Sequence, residues 1–223
     1  MRSLYIIATP IGNLKDITLR ALEILKSVDF VLAEDTRVTQ KLLNHYEIKA
    51  RLLRYDENIA ETMNERVGAI LKQDKVVALV TDAGTPAISD PGARLVEYVV
   101  NYLPSVKVIP IPGPSALIAA LSASGINANQ FTFLGYSPHK KGRETFFKEL
   151  KKIETRPVVF YESPHRLEKT FLALQKNLSE NYEIIVVKEI TKIHEEIWRG
   201  SVKTALAYFQ NAKAKGEFVI IIP

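Results

Sequence analysis

Two acids and an arginine, Glu34, Asp35 and Arg37, follow directly on the apolar run 30–33. A strand of that composition ends where the polar residues begin, which puts the three groups at its carboxyl end. There they form either a structural ion pair or the rim of an active site. A second stretch has the same grammar: the uninterrupted apolar run 76–80 stops at Asp82-Ala83-Gly84-Thr85-Pro86. Gly84 allows a tight turn and close approach of a ligand, while Pro86 prevents return to a strand ladder. The turn is either an ordinary strand-to-helix connection or a binding loop, since ligands of open α/β sheets sit at the carboxyl ends of strands. A third stretch, Pro112-Gly113-Pro114, leads into a small-residue helix over 115–124. It can aim amide donors at a ligand or serve as a rigid joint. A fourth, Glu162-Ser163-Pro164-His165-Arg166, closes the strand-like run 157–161.

Charge adds one more candidate. Between Ser137 and Lys169 there are nine Lys or Arg against five Glu, a surplus of four positive charges within a chain whose net charge is +5. Phosphate neutralisation dominates nucleic-acid affinity, so such a segment suits a polyanionic partner. A solvated helix face is the alternative, and it is the better reading for 146–152. The four histidines, 45, 139, 165 and 194, are scattered with none at ligand spacing, so no metal site is expected.

The elements that must position these groups follow from periodicity. Strands are predicted over 4–9, 30–33, 76–80 and 106–111, with helices over 39–46, 59–73 and from Pro91. Asp16 is placed to cap a helix with Leu19, Leu22, Leu25 and Val28 at helical spacing. The pattern restarts with strands over 131–136, 157–161, 183–187, 195–200 and 218–222, and with helices over 143–153, 167–178 and from Ser201. The first half alternates strand and helix; the second mixes parallel-type and hairpin-type connections. Two α/β domains are expected, 1–114 and 115–223.

Composition sets the outer limits. The 223 residues are 47% hydrophobic and 25% charged, ordinary values for a globular protein. No apolar run approaches the roughly 20 residues of a membrane span, and no signal peptide is visible. There is no cysteine, which excludes disulfides, thiolate nucleophiles and cysteine-held clusters. A cytoplasmic address is expected. The dinucleotide-binding and P-loop glycine signatures are missing, as is the nucleophile elbow.

Seven ordered stretches together resemble one family. They are Thr9-Pro10-Ile11-Gly12-Asn13-Leu14, Ala33-Glu34-Asp35-Thr36-Arg37, Asp82-Ala83-Gly84-Thr85-Pro86, Ser89-Asp90-Pro91-Gly92, Pro112-Gly113-Pro114-Ser115-Ala116, Phe160-Tyr161-Glu162-Ser163-Pro164-His165-Arg166, and Lys215-Gly216-Glu217. Their order across nearly the whole chain is similar to that of the bacterial ribosomal RNA small-subunit methyltransferase I family, within the tetrapyrrole-methylase superfamily. Two departures are visible. A histidine-rich motif of the family is replaced by Tyr55-Asp56-Glu57-Asn58-Ile59. Some members also continue beyond the last strand, so RNA contacts made by such a region are not carried over.

The resemblance implies two α/β domains of the tetrapyrrole-methylase type with a cleft for S-adenosylmethionine (SAM) between them. It assigns to the cofactor Pro10, Ala83, Gly84, Thr85, Ile88, Ser115 and Ala116, with Glu162 and Thr191 near the adenine. It also implies 2′-O-methylation of a cytidine ribose in 16S rRNA or the small ribosomal subunit, by a homodimer. The methyl of a sulfonium is already activated, so attack by oxygen is an in-line displacement that needs alignment above all. A ribose hydroxyl is a weak acid, so a base or cation helps, and Glu34, Asp35 and Arg37 are the catalytic candidates. Lys140, Lys141, Arg143 and Arg166 are the candidates for holding phosphates. Two other readings remain: a tetrapyrrole or other small-molecule methyltransferase on the same fold, and a non-catalytic RNA-binding protein that uses only the basic second half.

Overall fold

The computed structural model describes residues 2–211 and 216–223, and the chain divides into two units, Met1–Ser115 and Ala116–Pro223. In the first unit, β1 (Ser3–Ile7), β2 (Phe30–Ala33), β3 (Arg51–Arg54), β4 (Val76–Leu79) and β5 (Lys107–Ile111) form one parallel sheet in the order β3-β2-β4-β1-β5. Four helices cover it: α1 (Leu19–Ser27), α2 (Thr36–His45), α3 (Ala60–Lys72) and α4 (Gly92–Tyr102). Strand side chains alternate between two cores. Leu4, Leu32, Val77 and Leu79 pack with Met63, Val67 and Leu71 of α3 and with Leu95 and Val99 of α4. Ile7, Val31, Ala78 and Val80 pack on the other face with Ala21 and Leu25 of α1 and Leu42 and Leu43 of α2. A sheet buried on both faces explains the near-continuous apolar runs of β2 and β4.

Two local expectations are corrected. The cap of α1 is Thr18, whose hydroxyl accepts the Ala21 amide at 3.1 Å, while Asp16 lies in a separate 3-10 turn, Leu14–Asp16. Thr18 directly precedes the first helical residue, the position from which a side chain reaches the free amide. The buried stripe of α1 is Ala21 and Leu25, an i,i+4 pair, and Leu19 is left 79% exposed. The strand β3 was also not expected: its R-L-L-R sequence belongs to a four-residue sheet edge with exposed ends.

The second unit begins with α5 (Ala116–Ser124) and contains β6 (Thr132–Tyr136), α6 (Arg143–Glu149), β7 (Val158–Glu162), α7 (Leu167–Asn177), β8 (Glu183–Lys188), β9 (Glu196–Ser201), α8 (Val202–Asn211) and β10 (Phe218–Ile222). Its sheet order is β6-β7-β10-β8-β9. The β6–β7 pair is parallel, whereas β10 runs antiparallel to both β7 and β8, and β8–β9 is an antiparallel hairpin. β10 is buried along its whole length because α6, α7 and α8 cover one face and α5 the other. The basic helix expected over 143–153 ends earlier, at Glu149, and continues as a 3-10 turn, Leu150–Lys152.

Candidate active site

All strands of the first sheet are parallel, so the loops that follow them leave from one edge, and the candidate residues of this unit lie there. Three of those loops are laced together through backbone. Thr9 and Gly84 exchange both amide–carbonyl bonds, at 2.9 and 3.0 Å. The Thr9 hydroxyl donates to the Thr81 carbonyl at 3.0 Å, and the Thr85 hydroxyl donates to the Pro114 carbonyl at 3.2 Å. At Gly84, φ is +86°, a left-handed conformation that favours glycine. A Cβ at Gly113 would come within 3.0 Å of the Ala8 Cβ, so that turn also needs a small residue.

Beyond Pro86 the loop is tightly wound. Ala87 and Ser89 both have positive φ, 69° and 55°. Asp90 holds the turn closed: its Oδ1 accepts the amides of Ala87 at 3.0 Å and Gly92 at 2.8 Å. The turn displays Ile88, which is 53% exposed. Backbone strain of this kind costs about 1–3 kcal/mol per residue and gathers where a loop's shape serves a ligand.

The acids of this edge divide into two kinds. Asp35 caps α2 through the Arg37 amide at 2.8 Å and pairs with the Arg37 guanidinium through Nε and Nη2. Those contacts, the side-chain bond to Arg37 first, hold its carboxyl down to about 2. It is a committed anion and a poor proton acceptor. Glu34 is shifted the opposite way, raised by burial first and then by the charges of Asp82 and Asp90. Its Oε2 accepts a long bond from Thr81 Oγ1 at 3.4 Å, and Oε1 has no partner among the described residues. Asp82 is raised as well, chiefly by burial, and its Oδ1 accepts the Asp35 amide at 2.9 Å. The sequence reading missed Asp82 and Asp90 as site residues. The signal was present: Asp82 follows an apolar run just as Glu34 does.

In the stretch 55–59, Tyr55 and Asp56 are buried while Glu57 and Asn58 are exposed. Tyr55 is buried, its hydroxyl donates to Asn64 Oδ1 at 2.9 Å, and burial pushes it up to about 12. Asp56 accepts the Asn58 amide at 2.9 Å and pairs with Arg54.

In the second unit the candidates are sorted differently from expectation. Glu162 is fully buried and both its oxygens are occupied within the unit. Oε2 accepts the hydroxyls of Ser137 and Thr170, each at 2.5 Å, and Arg143 Nη1 at 3.4 Å. Oε1 accepts the Ser163 amide at 2.8 Å and forms an ion pair with Arg166 Nε at 2.9 Å, while that Nε–H donates to Ser163 Oγ at 3.0 Å. Glu162 thus has a structural part to play in its own unit, because a buried carboxylate must be neutralised where it lies. Arg143 and Arg166, expected at phosphates, turn inward to do so and are 16% and 15% exposed. Lys140 and Lys141 are exposed and carry no ion pair among the described residues. Thr191 has φ +68°, and its Oγ1 is buried with no partner among the described residues. Nearby, Gly216 has φ +93°, a left-handed conformation that favours glycine, and a Cβ there would also displace the Glu189 side chain. Lys215 of the same motif lies outside the described residues.

A parallel α/β unit with bare, small-residue loops at its strand ends, followed by a mixed-sheet α/β unit, is the plan of a methylase class that the sequence confirms. The profile of the tetrapyrrole (corrin/porphyrin) methylases matches residues 3–206, and the chain belongs to that family. Its sequence is similar to proteins named ribosomal RNA small subunit methyltransferase I. It is 43% identical to the one from Thermotoga maritima, across 100% of this chain and 98% of that protein. It is 44% identical to the one from Synechocystis sp., covering 100% of this chain and 79% of that protein. The protein of that name from Bacillus subtilis is 41% identical, over 100% of this chain and 75% of the relative. Among solved structures, a cobalt precorrin-4 methyltransferase shares the fold with a TM-score of 0.72 at 23% identity, covering 99% of this chain and 94% of its own. The uroporphyrin-III-C-methyltransferase of Thermus thermophilus does so with a TM-score of 0.69 at 16% identity and the same coverage. Among the described residues no helix is long and apolar enough to cross a membrane, and no group of three or more His, Asp or Glu could hold a metal.

Proposed function

We propose that this chain transfers a methyl group from SAM to the 2′-hydroxyl of a cytidine in 16S ribosomal RNA, in the cytoplasm and as a homodimer. The observation that carries the reading is the similarity, at 41–44% identity along essentially the whole chain, to relatives named for methylation of small-subunit ribosomal RNA. The strand-end loops suit the cofactor. They offer backbone and small side chains at Pro10, Ala83, Gly84, Thr85 and Ser115, an apolar surface at Ile88, and a left-handed Gly84 where a branched residue would be strained. The family resemblance also assigns Ala116, Glu162 and Thr191 to the cofactor.

SAM supplies, when bound, an activated methyl for an in-line displacement. The remaining work belongs to the chain. Glu34, with its Oε1 unengaged, accepts the proton of the ribose hydroxyl. Burial and two neighbouring acids raise its proton affinity toward the range useful to a base. Asp35 and Arg37 keep the start of α2 in place beneath it. Alignment of the acceptor supplies the larger share of the rate.

Incubation with methyl-labelled SAM and either small subunits, naked 16S RNA or tetrapyrrole precursors tests the reading. Label should enter RNA, and the adjoining linkage should resist alkali, because a methylated 2′-oxygen cannot attack its phosphate. Label in a tetrapyrrole alone would replace this function with small-molecule methylation. Light scattering should give twice the chain mass of 25.1 kDa; a monomer at micromolar concentration rejects the dimer.

A further inference from the structure

Loop 137–142, between β6 and α6, has an unusual base. Ser137, Glu162 and Thr170 are 2%, 0% and 0% exposed, yet the cluster they form holds one carboxylate and two guanidinium groups. Beyond Glu162, both arginines reach the root of the loop. Arg143 Nη1 donates to Ser137 Oγ at 2.7 Å and to the Pro138 carbonyl at 3.1 Å, and its Nη2 donates to Thr170 Oγ1 at 2.6 Å. Arg166 Nη1 donates to the Ser137 carbonyl at 2.6 Å. Two consecutive carbonyls are thus clamped from below. The far end is closed by the Arg143 amide on the Lys140 carbonyl at 3.3 Å and by a left-handed Gly142 with open space around its α-carbon.

What the clamp holds out is His139, Lys140 and Lys141, all exposed. The acids near the loop are occupied elsewhere: Glu144 pairs with Lys148 at 3.1 Å and Glu149 with Lys152 at 2.8 Å. Two largely shielded cations against one buried anion also leave a positive charge beneath the loop, where reduced solvent screening makes it felt. Directly before the loop stands Tyr136, 47% exposed, its ring 5.2 Å from that of Tyr161. An exposed aromatic beside unpaired lysines suits an unstacked base flanked by phosphates, which is the chemistry of RNA.

We infer that segment 139–141 is the phosphate-binding element of the second unit, and that Glu162, Arg143 and Arg166 are positioning residues that fix its shape without touching RNA. The inference rests on the reading that the substrate is RNA. It divides one apparent basic patch into two functions: the lysines bind, and the arginines hold the lysines where they bind. A preset loop loses less conformational freedom on binding than a free one.

Filter binding of the full chain to 16S RNA over a series of potassium chloride concentrations tests it, with SAM affinity followed by calorimetry. The double variant Lys140→Ala/Lys141→Ala changes only exposed side chains, so it should fold. It should lower the slope of log affinity against log salt by roughly two units while SAM affinity stays unchanged. Arg166→Gln should weaken RNA binding with the slope retained, because the phosphate-pairing cations are still present. A loss of about one unit of slope in Arg166→Gln, with none in the lysine variant, would overturn the assignment. So would an equal loss of slope in Lys148→Ala/Lys151→Ala, which would place the RNA on α6 and the 3-10 turn after it. Wild-type protein that binds RNA in the expected pattern but leaves it unmethylated would keep the loop assignment and remove the proposed reaction instead.

Discussion

The amide of Asp35 donates to Asp82 Oδ1 at 2.9 Å, joining the carboxyl ends of β2 and β4 across 47 residues of sequence. The bond leaves Asp35's own side chain free to cap α2 and pair with Arg37, while the neighbouring Glu34 accepts from Thr81 Oγ1 of the β4 end. Asp82→Ala should lower stability by about 1 kcal/mol through the lost bond and also reduce methyl transfer. Asp82→Asn keeps an oxygen acceptor and should restore most of the stability. Urea denaturation of the pair measures this, and equal midpoints for Ala and Asn would show that the bond is idle.

Glu34 makes the site pH-dependent in a definite direction. A base must be ionised, so kcat/KM should climb with pH along a limb centred above the ordinary glutamate value of about 4.3. Stability runs the other way. A raised folded-state pKa means that the folded state binds the proton more tightly. Its contribution is therefore full below the unfolded value and is lost as pH rises through the raised one. Asp35 has the opposite sign: its contribution is present above the usual carboxylate range and is lost as pH falls through about 2. Glu34→Gln should abolish the ascending limb and slow turnover by roughly 10²–10⁴-fold. An unchanged pH–rate profile in that variant would assign the proton to another group.

Gly84 tests the cofactor loop. A Cβ there would meet Ile11 Cγ2 at 3.4 Å and the Pro114 carbonyl at 3.8 Å, ordinary contacts, so the fold should survive substitution. The cost comes from φ of +86°, about 1–2 kcal/mol for a side-chain-bearing residue and more for a branched one. Gly84→Val should therefore melt lower than wild type yet fold, and calorimetry should show SAM binding lost. Unchanged SAM affinity in the folded variant would move the cofactor away from this loop.

Glu162→Ala should be among the most damaging changes in the second unit. It leaves Arg143 and Arg166 as charges with their counterion gone, and breaking a buried pair costs about 3–5 kcal/mol. Glu162→Gln keeps the shape and part of the hydrogen bonding, so it should lose less. Chemical denaturation separates the two. A loss below about 1 kcal/mol in Glu162→Ala, the range of an exposed pair, would show that solvent reaches the cluster.

The alternation of apolar runs with amphipathic stretches determined the α/β class, and single residues determined the sharp strand ends. A strand buried on both faces, such as β4 or β10, must be apolar at every position, and that requirement is legible without coordinates. The same logic fails for β3, because an edge strand needs only Leu52 and Leu53 half-buried. The direction of a cation is not encoded locally at all. Lys140, Lys141, Arg143 and Arg166 look alike in a list of charges, but two of them face solvent and two face Glu162. That division depends on β6 and β7 lying side by side and on α7 bringing Thr170 over them, which only the tertiary structure supplies. Asp35 and Glu34, adjacent in sequence, part in the same way: one finds Arg37 and a helix start, the other a half-buried edge beside Asp82 and Asp90. Sequence chose the residue types, and burial decided which of them hold the structure and which remain free for chemistry.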